Sequence, residues 1–274
     1  MSILIVTNNW YTHKNECGVM IMITDSFDNQ SEPIVTMQSF YGEQNHIIDI
    51  CMIILSKRIY DNIFELYECE LITEIHVCNG SYPIYKFNHE GKDIGFYLTG
   101  IGSTLASQLC IEANWLTGAT KFIMSGSAGS LDKDKTHNKF VIPTESYRDE
   151  GMSYHYAKAS DYIRIKNSNV VAEIFDNLEL PHIQGKVWTT DAMLRETKNN
   201  VEKRKNDGCI AVEMELAGVQ AVCNYHGLEL YNFLSTGDVV SEDEYEVEGL
   251  SGANHNMDKF YIGLEIANRI SKNI

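Results

Sequence analysis

The chain has 274 residues, 44% of them apolar and 22% charged, with only 4 prolines, a globular composition that excludes a disordered, collagenous or disulfide-scaffold chain. Asp and Glu outnumber Lys and Arg by 38 to 22, a formal charge of −16, so the cationic footprint that a nucleic-acid backbone requires is missing. Apolar runs are far short of the ~20 residues that span a bilayer, and the scattered residues Cys17, Cys51, Cys69, Cys78, Cys110, Cys209 and Cys223 form no CxxC pair and read as reduced thiols of a cytoplasmic protein.

Residues 1–33 carry no clear pattern and are set apart as an N-terminal extension; residues 34–274 read as one catalytic domain. Asp49–Leu55 (DICMIIL) predicts a buried strand, followed by a helix over Lys57–Glu68. Leu71–Val77, Ile84–Phe87 and Ile94–Thr99 predict strands, and Gly100-Ile-Gly102 turns the last of them into a helix over Ser103–Leu116. Lys121–Met124 predicts a strand that ends in a small-residue loop, Ser125–Ser130. Phe140–Pro143 and Gly185–Thr189 read as strands, with a helix at Asn169–Leu178 between them. Ala211–Tyr225 predicts a helix, Leu230–Ser235 a strand ending at Thr236-Gly-Asp238, and Asn256–Asn273 a closing amphipathic helix. Such alternation argues an α/β fold. Ligands of open α/β sheets sit at the carboxyl ends of strands, which singles out residues 100–104, 125–130 and 236–238.

Thr99-Gly-Ile-Gly-Ser-Thr-Leu-Ala106 lacks the third glycine of a dinucleotide fingerprint, and the next strand ends in Ser125-Gly126 instead of an acid. A tight turn remains, or a backbone N–H at Gly102 facing an anion at a helix N-terminus. In Ser125-Gly-Ser-Ala-Gly-Ser130 the small residues let a ligand approach the backbone. The nucleophile elbow GxSxG is not met, because Gly126 directly precedes Ser127; a plain turn is the alternative. In Ala211-Val-Glu-Met-Glu-Leu-Ala-Gly218, Glu213 and Glu215 bracket Met214. They are either acids favoured by a helix dipole or carboxylates that accept sugar hydroxyls. Asp238 at a strand end is either a cap or a general acid. The nine histidines form no HxxxH or HExxH pair, so no metal site is expected.

The Gly-rich turn, GSAG, VEME and the strand-end acid occur together and in one order. That combination resembles the nucleoside phosphorylase-I superfamily, which includes purine nucleoside phosphorylase, uridine phosphorylase and methylthioadenosine nucleosidase. Tyr147–Tyr156 (YRDEGMSYHY) is similar to the R-x-x-G-x-S-x-H stretch of its uridine-phosphorylase-like branch. The resemblance implies a single-domain, three-layer α/β fold with a central mixed, partly barrel-like sheet flanked by helices. It implies a homo-oligomer, a trimer or hexamer, that takes a small-molecule nucleoside and no nucleic acid or membrane. The implied reaction cleaves the N-glycosidic bond by phosphorolysis, with inorganic phosphate as co-substrate and no other cofactor or metal. Asp238 is then the catalytic acid at the departing base. Met214, Glu215, Glu213 and His155 fall to the ribose, and Gly102, Gly126, Ser127 and Arg58 to the phosphate. Ala128, Gly129, Met193 and Arg195, with Glu196 beside it, fall to the base.

The chain departs from the family pattern at two places. Ile53-Ile-Leu-Ser-Lys-Arg58 stands where the phosphorylases carry G-D-P-x-R, and Met124 stands where an Arg precedes the GS loop. A hydrolytic nucleosidase, with Glu43 as the acid that activates water, therefore stays open beside phosphorolysis. A non-catalytic nucleoside or nucleotide sensor is a third reading, against which the retained Glu215 and Asp238 count.

Overall fold

The computed structural model describes residues 23–28 and 30–271; the segment 1–19 of the expected extension, with Cys17, lies outside them. In chain order the elements are α1 (Met37–Tyr41), β1 (Ile50–Ile54), α2 (Lys57–Leu66), β2 (Cys69–Val77), β3 (Gly80–His89), β4 (Lys92–Leu98), α3 (Ser103–Thr117) and β5 (Lys121–Ser130). There follow α4 (Lys133–Thr136), β6 (Phe140–Asp149), β7 (Tyr162–Arg164), α5 (Ser168–Asn177), β8 (His182–Thr190), α6 (Lys198–Asn206) and β9 (Cys209–Glu213). The chain closes with α7 (Leu216–His226), β10 (Glu229–Val240), β11 (Tyr245–Glu246), α8 (Leu250–Asn254) and α9 (Asp258–Ser271).

Strands β4, β1, β5 and β10 lie side by side and parallel, with β3 and β2 added antiparallel beyond β4. Past β5 the sheet curls. β10 pairs with β6, β6 with β8, β8 with β9, and β9 returns to β5, so five strands close into a ring. The sheet is mixed and partly barrel-like, with helices on both sides.

The apolar run of β1 follows from burial on both faces. Cys51 and Ile53 point into a core shared with α3 and α7, whereas Ile50, Met52 and Ile54 point into one shared with α2, α5 and α9. β5 divides likewise, Phe122 and Met124 to one side and Ile123 to the other. Helices α3 and α7 meet through small residues: a Cβ on Gly218 would stand 2.7 Å from Ser107 Oγ and 2.9 Å from Ser103 Cβ. That close approach brings the N-termini of both helices to one place. Among the described residues, no helix is long and apolar enough to cross a membrane.

Three local expectations are corrected. Residues 125–130 are not a loop, because they continue β5 and pair with β10 and β9. Small residues permit it, since a Cβ on Gly129 would stand 2.9 Å from Val240 Cγ2 and 3.1 Å from Val212 Cγ1. Ala211–Glu213 are not helix but the end of β9, wholly buried and paired with β8, and α7 begins only at Leu216. Strand β10 likewise runs through Asp238 to Val240, with a register shift between Thr236 and Val239. Such an irregularity re-aims side chains, here at Gly237 and Asp238.

Candidate active site

The turn between β9 and α7 is built around Glu213. Its Oε2 accepts from the backbone N–H of Glu215 at 2.7 Å and of Leu216 at 2.8 Å. Its Oε1 accepts from the Thr189 hydroxyl. Thr189 has one hydroxyl proton, so the Ser146 hydroxyl, 2.6 Å away, donates to it. The Ala217 N–H donates to the same oxygen at 3.1 Å. Glu213 thus satisfies orphan N–H groups at the start of α7 and is fixed by β6, β8 and α7 together.

Glu215, two residues on, is buried, and its Oε1 accepts from the Gly102 N–H at 2.7 Å. Gly102 has φ 102°, a conformation that favours glycine; a side chain there would strain the donor. Ser103 Oγ adds a bond of 3.3 Å to the Glu215 carbonyl. Burial pushes both carboxyls up, and for Glu213 the Glu215 charge adds to it. Met214 between them is half-buried.

Asp238 lies on the other flank of the β5 backbone. Gly129 pairs with Val212, next to Glu213, and Asp238 Oδ2 stands 3.4 Å from where a Gly129 Cβ would be. Asp238 is buried, and its Oδ1 has no hydrogen-bond partner. Two groups face it. Burial, then the Asp238 charge, push Glu196 up to about 7. Burial and the same carboxylate push the Tyr245 phenol up. A cavity of about 420 Å³ lies against β10; Asp238 is on its wall, as are Ser130, Lys133 and His137, whereas the 213–215 turn is not.

The structure therefore brings together Gly102, Glu213, Met214, Glu215, Gly129 and Asp238. Gly126, Ser127 and Ala128 lie on the adjoining stretch of β5, opposite Leu234, Ser235 and Thr236. Ser127 Oγ donates to Asn254 Oδ1 on α8. Arg58 is exposed on the first turn of α2, near the carboxyl end of β1. Met193 (55% exposed) and Arg195 occupy an exposed 3-10 turn, and Glu196 after them is the residue turned inward. His155 is exposed and stands in an aromatic group, with the Phe27 ring edge-on at 4.6 Å. Glu43 is in the segment bonded to the far end of α3, where the Trp115 indole donates to the Gly42 carbonyl at 3.1 Å. At 1.5 Å per residue that end is about 20 Å from Gly102. Sequence reasoning missed Ser146, Thr189, Tyr245 and Asn254, which carry no motif; strand pairing places the first three, and α8 lying against β5 places Asn254.

A family model described as the phosphorylase superfamily matches residues 61–261. A guanosine phosphorylase of Halorubrum lacusprofundi is 27% identical over 68% of this chain and 76% of its own length. A 5'-methylthioadenosine/S-adenosylhomocysteine nucleosidase of Buchnera aphidicola is 27% identical over 58% of this chain and 72% of its own. Among solved structures, the futalosine hydrolase of Helicobacter pylori superposes with a TM-score of 0.65 at 21% identity, covering 81% of this chain and 98% of that one. The fold agrees with that neighbour, and the family match covers most of the chain. The chain belongs to the phosphorylase superfamily.

Proposed function

We propose that the protein cleaves the N-glycosidic bond of a nucleoside by phosphorolysis, releasing the free base and ribose-1-phosphate. The observation that carries this reading is a pair of unlike carboxylates on the two strands that flank Gly129: Glu215 just beyond β9, anchored by a backbone N–H, and Asp238 on β10, buried with an unpartnered oxygen. Glu215 would accept the ribose hydroxyls, with Met214 against the sugar. As the bond from C1′ to the base stretches, positive charge gathers on the ribosyl carbon and the electron pair goes to the base. Asp238 would supply the proton or hydrogen bond that the base then needs, an effect typically worth about 10²–10⁴-fold. Phosphate, held beside Ser127, would attack C1′ and complete the exchange. Positioning and fixed charges carry the rest of the rate. The names of the relatives support glycosidic cleavage of this kind.

Hydrolysis on the same fold is the second reading. It is favoured by the exposure of Arg58 and by Met124, which is buried in the core where a cation was sought. Against it, Glu43 is remote from the carboxylates.

The test is base release from purine and pyrimidine ribosides with and without phosphate. Release that requires phosphate and yields ribose-1-phosphate is the expected result. Equal release without phosphate makes the protein a nucleosidase. Binding without release from any riboside makes it a sensor.

A further inference from the structure

The cavity of about 420 Å³ against β10 has the size of a small-molecule site. It shares Asp238 with the carboxylate pair but not the turn that carries Glu213 and Glu215, so it adjoins the site at the base and not at the ribose. Its β10 wall is fixed by close packing, since a Cβ on Gly237 would stand 2.6 Å from the Gly249 carbonyl oxygen. Ser235 pairs with Phe140 of β6, and Val239 with Glu246 of β11. Toward β5 the pairs are Thr236 with Ala128 and Val239 with Ser130. Gly237 and Asp238 fall between these pairs and have no strand partner on either side. Buried backbone groups outside a ladder need another partner, and a ligand in the cavity is one.

A second wall is α4 and the turn from it into β6. Residues 133–139 read KDKTHNK, a basic stretch in a chain of formal charge −16. Lys133, His137 and Lys139 line the cavity. Lys133 is paired with Glu246 at 2.6 Å. Among the described residues, His137 and Lys139 make no ion pair and no side-chain hydrogen bond. Two carboxylates are on the wall as well. Asp238 serves the base. Asp258 opens α9, where the first N–H groups of a helix offset a negative charge. Apart from Phe140, Pro181 and Val239, every lining residue is polar or glycine. A bare base that stops at Asp238 makes no use of such a wall.

We propose that this cavity takes an acidic substituent carried by the base, so that the preferred substrates are nucleosides whose base bears a carboxylate side chain, held by Lys139 and His137. This rests on the reading of Asp238 as the group that meets the base. The bond that breaks is the same glycosidic bond. The substituent adds binding remote from C1′, which shows in KM before kcat. The net charge of the chain works against an anion, so a preference for one has to come from these side chains.

The test is base release by the full chain from adenosine and its N6-carboxymethyl and N6-carbamoylmethyl derivatives, and from uridine and its 5-carboxymethyl and 5-carbamoylmethyl derivatives. For the base that is cleaved, kcat/KM for the acid should exceed that for its neutral amide about tenfold, mostly through KM. Added salt should shrink the preference. Lys139 is exposed, so its variants should fold with the Tm of the wild type. Lys139→Met should cut the acid-over-amide preference about fivefold, and Lys139→Glu should remove it. An acid cleaved no better than its amide, or a preference unchanged in both variants, overturns the acidic subsite and leaves glycosidic cleavage standing. If no riboside is cleaved, the catalytic reading falls, and calorimetric binding of the same ribosides decides the subsite. An acid that binds more tightly than its amide to the wild type, but not to Lys139→Glu, upholds it. Equal binding of acid and amide overturns it.

Discussion

Glu213 and Asp238 are buried to a similar degree, 5% and 8% exposed, yet Glu213 accepts three hydrogen bonds while Asp238 leaves Oδ1 with none. Native interiors rarely leave a buried polar atom unpaired, and an exception calls for a role. The first carboxylate ties three elements together and holds the turn on which Glu215 rides. The second sits on a strand irregularity, beside Glu196 and Tyr245, with one oxygen unpartnered. One region is tied from three elements, and the other keeps an acceptor open.

The largest effect should come from Asp238→Asn. The carboxamide keeps the shape and removes the proton donor, so base release should fall about 10³-fold, within the usual range for losing a general acid. The nucleoside Kd should stay within a few-fold by calorimetry, and Tm should not drop. A variant that instead unfolds would make Asp238 a second structural tie and erase the contrast with Glu213.

Thr189→Val attacks the other region. It removes one donor to Glu213 and the acceptor of the Ala217 N–H, and leaves Ser146 only the long 3.5 Å bond to the Tyr147 carbonyl, at nearly constant volume. Unpaired buried groups cost about 1–3 kcal/mol each, so urea unfolding should show a loss of about 2–3 kcal/mol. KM should rise as Glu215 loosens, with a smaller fall in kcat. A loss of kcat alone, at full stability, would mean that Thr189 acts on chemistry and not on the turn.

The contrast also separates what the sequence could tell from what it could not. The buried strands were legible because each is covered on two faces, and an apolar run such as Cys51–Ile54 has few other uses. Gly102, Glu213, Glu215 and Asp238 were legible as a motif order. Where GSAGS and AVE belong was not. Loop-like small residues became strand because β9 and β10 press against them, and that pressure is a tertiary fact. Gly218, plain within an apolar helix, is where α3 and α7 touch. Thr189 and Ser146 were illegible for the same reason, since two hydroxyls 43 residues apart become one relay only through the β6–β8 pairing.

The smallest predicted effect tests whether Glu196 and Asp238 act as a pair. Burial first, and the Asp238 charge second, move the Glu196 carboxyl from 4.5 to about 7. Between those values the folded protein keeps a proton that the unfolded chain has released, so this group's contribution to stability is full below about 4.5 and is lost as pH rises through about 7. Glu196→Gln removes that slope. The side chain is only half-buried, and solvent screening reduces the gain, so the variant should be more stable than the wild type by about 1 kcal/mol at pH 8. At pH 4 the two should be alike. In an Asp238→Asn background the gain at pH 8 should shrink but persist, because burial is the larger cause. Urea unfolding of the four proteins at the two pH values measures this cycle. If Glu196→Gln gains as much with Asp238 neutralised as with it intact, the two carboxyls do not sense each other, and Asp238 stands as a lone acid.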